Sequence, residues 1–239
     1  MMGFVQVAVF VLGLLSVGHS APVTSCETLT QQLDVPTIDP LLGKWIYQAD
    51  VTTVPGSKLL TKLLVKNVWA EVTKANESNS INTFHAQRTL GRCFSLNIKQ
   101  TLKNNTLFMS YPYEASQILL KTSCPDCLVF LGNFSMRGNS YRGLQLISRR
   151  RTLTPAEVEE FKKQAECLNL PAPVFIDAET DLCPDGSVTQ DTESETTDLT
   201  SLITREAINE TFTLFDTITS SQDKLQEFVK LLSSAIIPA

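Results

Sequence analysis

Between Lys44 and Arg150 the chain reads as eight short strand-like segments joined by hairpin-length turns, with no helical period between them. They run over 44–54, 59–72, 81–90, 93–102, 107–111, 117–122, 127–134 and 141–148. Pro55-Gly56, Lys74 to Ser80, Asn104-Asn105 and Arg137-Gly138-Asn139 supply turns. The clearest segment sets Phe94, Leu96 and Ile98 against Ser95, Asn97 and Lys99, the period of two that marks a half-buried strand. An antiparallel set of this size has to bury one face and protect its edges. Closing into an up-and-down barrel does both, and eight strands leave room for side chains or one small ligand. The predicted fold class is all-β: an eight-stranded antiparallel up-and-down barrel with one flanking α-helix and a C-terminal helical extension.

The flanking helix is signalled by Thr154-Pro155-Ala156-Glu157, a capping box with Pro at the first helical position. Val158, Phe161, Ala165 and Leu168 then form one apolar stripe suited to the outside of a sheet, Pro171 stops the helix, and Val174-Phe175-Ile176 is a last short strand. Upstream of the barrel, Phe4 to Val17 is apolar and uncharged, and Gly18-His19-Ser20 precedes Ala21-Pro22. This reads as a secretory leader over residues 1–20, cleaved after Ser20; the apolar run is too short to span a bilayer. Residues 21–184 are read as the barrel domain and 185–239 as an acidic linker and amphipathic tail. Asp185 to Asp198 is nearly devoid of apolar side chains, as a disordered linker would be. In the tail, Ile208, Phe212, Phe215 and Ile218, then Leu225, Phe228, Val229 and Leu232, form helical faces suited to docking or to a protein partner.

Secretion gives meaning to the six cysteines, Cys26, Cys93, Cys124, Cys127, Cys167 and Cys183, which read as a disulfide framework. The sequons at Asn76, Asn104, Asn133 and Asn209 read as glycosylation acceptors on exposed turns or the tail. The net charge of −5 and a densest basic cluster of only Arg149-Arg150-Arg151 argue against nucleic acid. After leader removal one histidine remains, His85, too few for a zinc cluster, and no G-x-S-x-G presents a serine. No catalytic residue, metal or cofactor is expected. Cys124-Pro125-Asp126-Cys127 lies in a turn between strands, where a structural staple is favoured over redox chemistry.

Gly43-Lys44-Trp45 at the start of the first strand, soon after Cys26, resembles the G-x-W motif of lipocalins. The chain is most similar to the branch containing α1-acid glycoprotein (orosomucoid), apolipoprotein M and the fish toxin- and tributyltin-binding plasma proteins. Leu42 to Tyr47, Glu159-Glu160-Phe161 through Glu166-Cys167-Leu168, and Asp181-Leu182-Cys183 carry the likeness. The resemblance implies that Trp45 plugs one end of the barrel beneath a basic residue, either Arg149 or Arg151. It also implies the bridges Cys26–Cys167 and Cys93–Cys183, which leaves Cys124 and Cys127 to each other, so the free thiol used by the one enzymatic lipocalin branch is not expected. Strand parity places Tyr47 and Ala49 on the same face as Trp45. The resemblance adds Gln145 and Ile147 to the ligand-binding set, and Trp69 and Phe84 join it from the middle of their strands. The implied function is a secreted, monomeric plasma carrier of small hydrophobic or amphipathic ligands; the alternative is a lipoprotein-associated carrier whose tail binds the particle or a protein.

Overall fold

A computed structural model describes residues 25–89, 92–111, 113–136, 138–176, 181–184 and 196–201, with isolated positions between 204 and 228. The leader, Asn209 and most of the tail lie outside these residues. The strands are β1 (Gly43–Thr52), β2 (Val65–Lys74), β3 (Ser80–Thr89), β4 (Arg92–Lys103), β5 (Thr106–Met109), β6 (Glu114–Leu120), β7 (Cys127–Met136) and β8 (Asn139–Ser148). Each pairs antiparallel with its sequence neighbour, and β1 pairs with β8, so the sheet closes on itself. Asn79, Asn104 and Asn105 sit at positive φ in the tight β2–β3 and β4–β5 turns. Among described residues no helix is long and apolar enough to cross a membrane.

Three α-helices are described: α1 (Cys26–Leu29), α2 (Ser57–Leu64) and α3 (Pro155–Cys167). The capping box of α3 is present, with Thr154 Oγ1 accepting from the Glu157 amide and the Glu157 carboxylate accepting from the Thr154 amide. The helix ends at Cys167, ahead of Pro171, where Asn169 takes the left-handed conformation. Its stripe, Phe161 and Ala165, packs with Leu170 on the outward residues Ala49, Val51, Val129, Leu131, Leu144 and Leu146. Gln164 fastens the same face, donating to the carbonyls of Leu29 (3.0 Å) and Lys121 (2.8 Å).

Two local readings of the sequence are corrected. The second strand begins at Val65, because Ser57–Leu64 is helical. Leu59, Leu60, Leu63 and Leu64 recur at helical spacing after the Pro55-Gly56 turn, with nothing between them and β2 to mark the change of period. The stretch read as linker is ordered at its end: beyond β9 (Val174–Phe175), which pairs antiparallel with β1, Thr196–Asp198 forms β10, parallel to Cys93–Ser95 of β4. Here β5 is too short to cover β4, pairing only with Thr101 to Lys103, and β10 takes the vacant edge. In the tail, the described Phe228 is helical and half-buried.

Three disulfides join Cys26 to Cys167, Cys93 to Cys183 and Cys124 to Cys127. The first ties α1 to α3. The second holds residues 181–183 against the outside of the barrel, where Asn67 Nδ2 and Trp69 Nε1 donate to the carbonyls of Asp181 (2.8 Å) and Cys183 (2.9 Å). In the loop-entropy picture each of these long closures contributes about 4–5 kcal/mol.

Phe161 is 1% exposed and lies wholly in the outer layer. Phe161→Ala should therefore cost about 3–5 kcal/mol, read as a lowered urea midpoint, while native tryptophan emission stays unchanged because both indoles lie in other clusters.

Candidate functional site: a one-ended cavity inside the barrel

One end of the barrel is a packed floor. Trp45 is 3% exposed and sits among Leu41, Val72, Ile81, Leu102, Leu107, Leu119, Leu128 and Ile147. Its Nε1 donates to the Leu41 carbonyl at 2.7 Å. The guanidinium of Arg149 lies over the indole, its central carbon 3.4 Å from the ring centroid, and donates to the carbonyls of Leu42 (2.6 Å) and Lys44 (2.8 Å). Gly43 makes this approach possible: its φ is +92°, and a Cβ there would lie 3.0 Å from Arg149 Nη1. Of the two arginines left open by the sequence, Arg149 occupies the position; Arg151 is exposed. Arg150 points elsewhere, bonding Asp126 (2.8 Å) and Glu157 (2.5 Å) and so tying the 124–127 turn to the start of α3.

Above the floor the barrel is hollow. The cavity measures about 740 Å³, within the roughly 300–1,000 Å³ of small-molecule sites. Val68, Ala70, Val72, Phe94, Leu96, Ile98, Phe130 and Ile147 give it apolar walls; Thr83, Gln87, Gln100, Gln117 and Gln145 add polar points. Among the residues singled out from sequence, Tyr47, Gln145 and Ile147 line this space. Trp69 and Phe84 do not. The β1–β2 register pairs Trp45 with Ala70 and Ile46 with Trp69, so Ala70 faces inward and Trp69 outward. Trp69 and Phe84 instead pack together on the outside, ring centroids 5.4 Å apart, next to Cys93 and Cys183.

Ala49 also leaves the cavity face, for a different reason. The β1–β8 pairing shifts between Tyr47 and Ala49, a β-bulge at Gln48. Gln48 is buried, its Nε2 donating to the Arg150 carbonyl at 2.9 Å. After this extra residue the parity inverts: Ala49 and Val51 face α3, while Asp50 and Thr52 face the cavity. The bulge thus places a carboxylate inside an apolar cup, which regular alternation from Trp45 does not foresee.

The ionisable residues among the described lining are Tyr47, Asp50, His85 and Tyr113. Burial pushes the Asp50 carboxyl up to about 6 and His85 down to about 4. Burial, then the Asp50 charge, raise the phenols of Tyr47 and Tyr113. Tyr47 Oη and His85 Nδ1 are 3.1 Å apart and hydrogen-bond to each other. All six cysteines are bonded; Cys124 and Cys127 therefore offer no thiolate to a metal although Asp126 lies beside them. Asn76 and Asn104 are exposed on turns, and Asn133 is exposed on β7.

A family model described as the ApoM domain matches residues 11–187. Among solved structures, the chain is similar to one titled as the siderocalin Ex-FABP, a protein said to function through dual ligand specificities. The two share 16% identity at a TM-score of 0.55, over 62% of this chain and 100% of that one. That likeness concerns the fold. No curated protein matches.

Asp50 and His85 give opposite pH signatures. Asp50, raised from 3.8 to about 6, contributes stability that is complete below pH 3.8 and is lost as pH rises through about 6. His85, lowered from 6.5 to about 4, contributes stability that is present above pH 6.5 and lost as pH falls through about 4. The phenols titrate above this window. Relative to the wild type, Asp50→Asn should gain urea stability as pH rises from 4 to 6.5, and His85→Gln should lose it over the same interval. Flat difference curves for both variants would contradict this electrostatic assignment.

Proposed function

Since the chain belongs to the ApoM family, a family of lipocalins, and lipocalins carry small hydrophobic ligands, we propose that it is a secreted, non-enzymatic plasma carrier of orosomucoid-like kind. The observation that carries this reading is the hollow of about 740 Å³ above a packed tryptophan floor. A ligand in such a space loses water-exposed apolar surface, worth roughly 25 cal/mol per Å2. About 300 Å2 buried gives on the order of 7 kcal/mol before the cost of association. No bond need form or break. Tyr47, Gln145 and Ile147 supply contacts within the cavity.

The extracellular setting rests on the leader read over residues 1–20, three disulfides, and exposed sequons at Asn76, Asn104 and Asn133. In this reading the leader is removed after Ser20 and glycans occupy exposed positions, with Asn133 on β7 at the edge of the cavity. The ApoM match ends at residue 187, and the chain beyond it contributes β10 to the barrel edge. The tail accordingly serves first as a docked brace. Attachment to a lipoprotein particle is the competing role, and flotation of the secreted protein with lipoprotein in a density gradient would establish it.

Binding is tested with N-phenyl-1-naphthylamine, a neutral probe that fluoresces when it leaves water. The wild-type protein should bind it saturably, at one site, with micromolar affinity. Gln145→Trp, which fills the cavity from β8, should weaken binding at least tenfold with little change in thermal midpoint. Absence of saturable binding, or an unchanged affinity in the filled variant, would contradict the carrier reading.

A further inference from the structure

The cavity has one stretch of wall that the eight barrel strands do not supply. β5 pairs with Thr101, Leu102 and Lys103 of β4 and ends at Met109. From Cys93 to Gln100, β4 therefore has no β5 partner on that side. The hollow reaches this seam. Ser95 faces outward by register, since it pairs with Ala86, the partner of Trp69, yet it borders the cavity together with the inward Phe94 and Leu96. β10 is laid along the open edge, with Thr196, Thr197 and Asp198 opposite Cys93, Phe94 and Ser95. The next residue, Leu199, donates its amide to the Ser95 carbonyl at 2.8 Å and lines the cavity. Among the described lining residues, it alone comes from beyond the ApoM match.

A clasp holds Leu199 there. Thr200 Oγ1 accepts from the Asn97 amide (2.9 Å) and from Asn97 Nδ2 (3.2 Å), and donates to Asp198 Oδ1 (2.6 Å). The Thr200 amide donates to the same carboxylate oxygen at 2.9 Å. One hydroxyl thus takes the place on Asn97 that a carbonyl of a longer strand would fill. The attachment is slight beside the rest of the sheet: three paired residues, one neighbouring strand among those described, and Thr197 and Asp198 exposed. A short, one-sided strand with exposed hydrogen bonds opens at a far lower free energy than the core strands. A ligand that gains contacts from the docked strand favours docking by the same factor that docking favours the ligand. Resting on the carrier reading above, we propose that β10 is a movable wall of the ligand site: Leu199 retains cargo at the seam, the Asp198–Thr200–Asn97 clasp positions Leu199, and undocking of the strand is the cargo's side exit. The tail thereby belongs to the binding site as well as to the brace of the barrel.

Hydrogen exchange of the full-length protein, with and without saturating N-phenyl-1-naphthylamine, reads this coupling directly. The peptide covering residues 196–201 should exchange about fivefold more slowly when the probe is bound. In stopped-flow displacement, Leu199→Ala and Thr200→Val should each raise the probe's dissociation rate about fivefold at an unchanged thermal midpoint, and Thr200→Ser, which keeps the hydroxyl, should retain the wild-type rate. Exchange over 196–201 that ignores the probe, a dissociation rate untouched by Leu199→Ala, or a T200S protein as fast as T200V would overturn the proposal and leave the carrier reading intact. The exchange measurement uses the unaltered chain, so it decides the matter even where a variant folds poorly. Absence of probe binding to the wild type would overturn both.

Discussion

The contact of Arg149 with Trp45 sets the conditions for everything above it. A closed eight-stranded sheet can fill with side chains from end to end or hold a space, and the difference lies in how one end is sealed. Here the seal is concentrated. The indole fills the floor, the guanidinium lies on its face, and two arginine N–H groups bind the carbonyls of Leu42 and Lys44 on either side of Gly43. A cation on an indole is worth about 0.5–2 kcal/mol, and the accompanying hydrogen bonds satisfy backbone acceptors at the point where the chain enters the barrel. With the floor built from Leu, Val and Ile around one large ring, the cavity wall can carry smaller inward residues such as Ala70, Thr83 and Gly132 without loss of closure.

The strands must also satisfy a second surface, because helix and loop layers cover the outside. β1 does both jobs through its bulge. Before Gln48 its inward residues build the floor; after Gln48 Ala49 and Val51 turn outward to receive Phe161 of α3, and Asp50 turns inward. One extra residue therefore couples helix docking to the chemistry of the cavity. On the opposite flank Trp69 performs an outer-layer role, with Lys44 Nζ 4.0 Å from its ring centroid and the Cys183 carbonyl on its Nε1. The disulfides fasten both outer layers at long sequence separation, 141 residues for Cys26–Cys167 and 90 for Cys93–Cys183. The barrel wall is held from outside, which leaves the interior free of structural duty above the floor.

Much of the architecture was legible in the residues because it depends on local periodicity. Alternation in Phe94 to Lys99 marks β4, and Thr154 to Glu157 marks the start of α3, since each depends only on near neighbours. The cavity was less legible because lining depends on register between strands. Trp69 is large, apolar and central in β2, yet it faces outward because Ala70, not Trp69, is the partner of Trp45. The bulge at Gln48 leaves no mark that a period count would detect, so Asp50 was not foreseen as a cavity residue. In the sequence His85 is the single histidine left after leader removal, too few for a zinc cluster; its pairing with Tyr47 across β1 and β3 emerges from the closed sheet. In contrast, α2 could have been found: four leucines at helical spacing directly after Pro55-Gly56 carry the pattern.

The central claim, an accessible hollow inside a closed barrel, is tested most directly by native mass spectrometry of the purified protein, before and after exposure to a mixture of neutral apolar compounds. The account expects a species heavier than the protein itself by the mass of a single small molecule, released when the protein is denatured. A mass that stays at that of the protein alone under both conditions would contradict it.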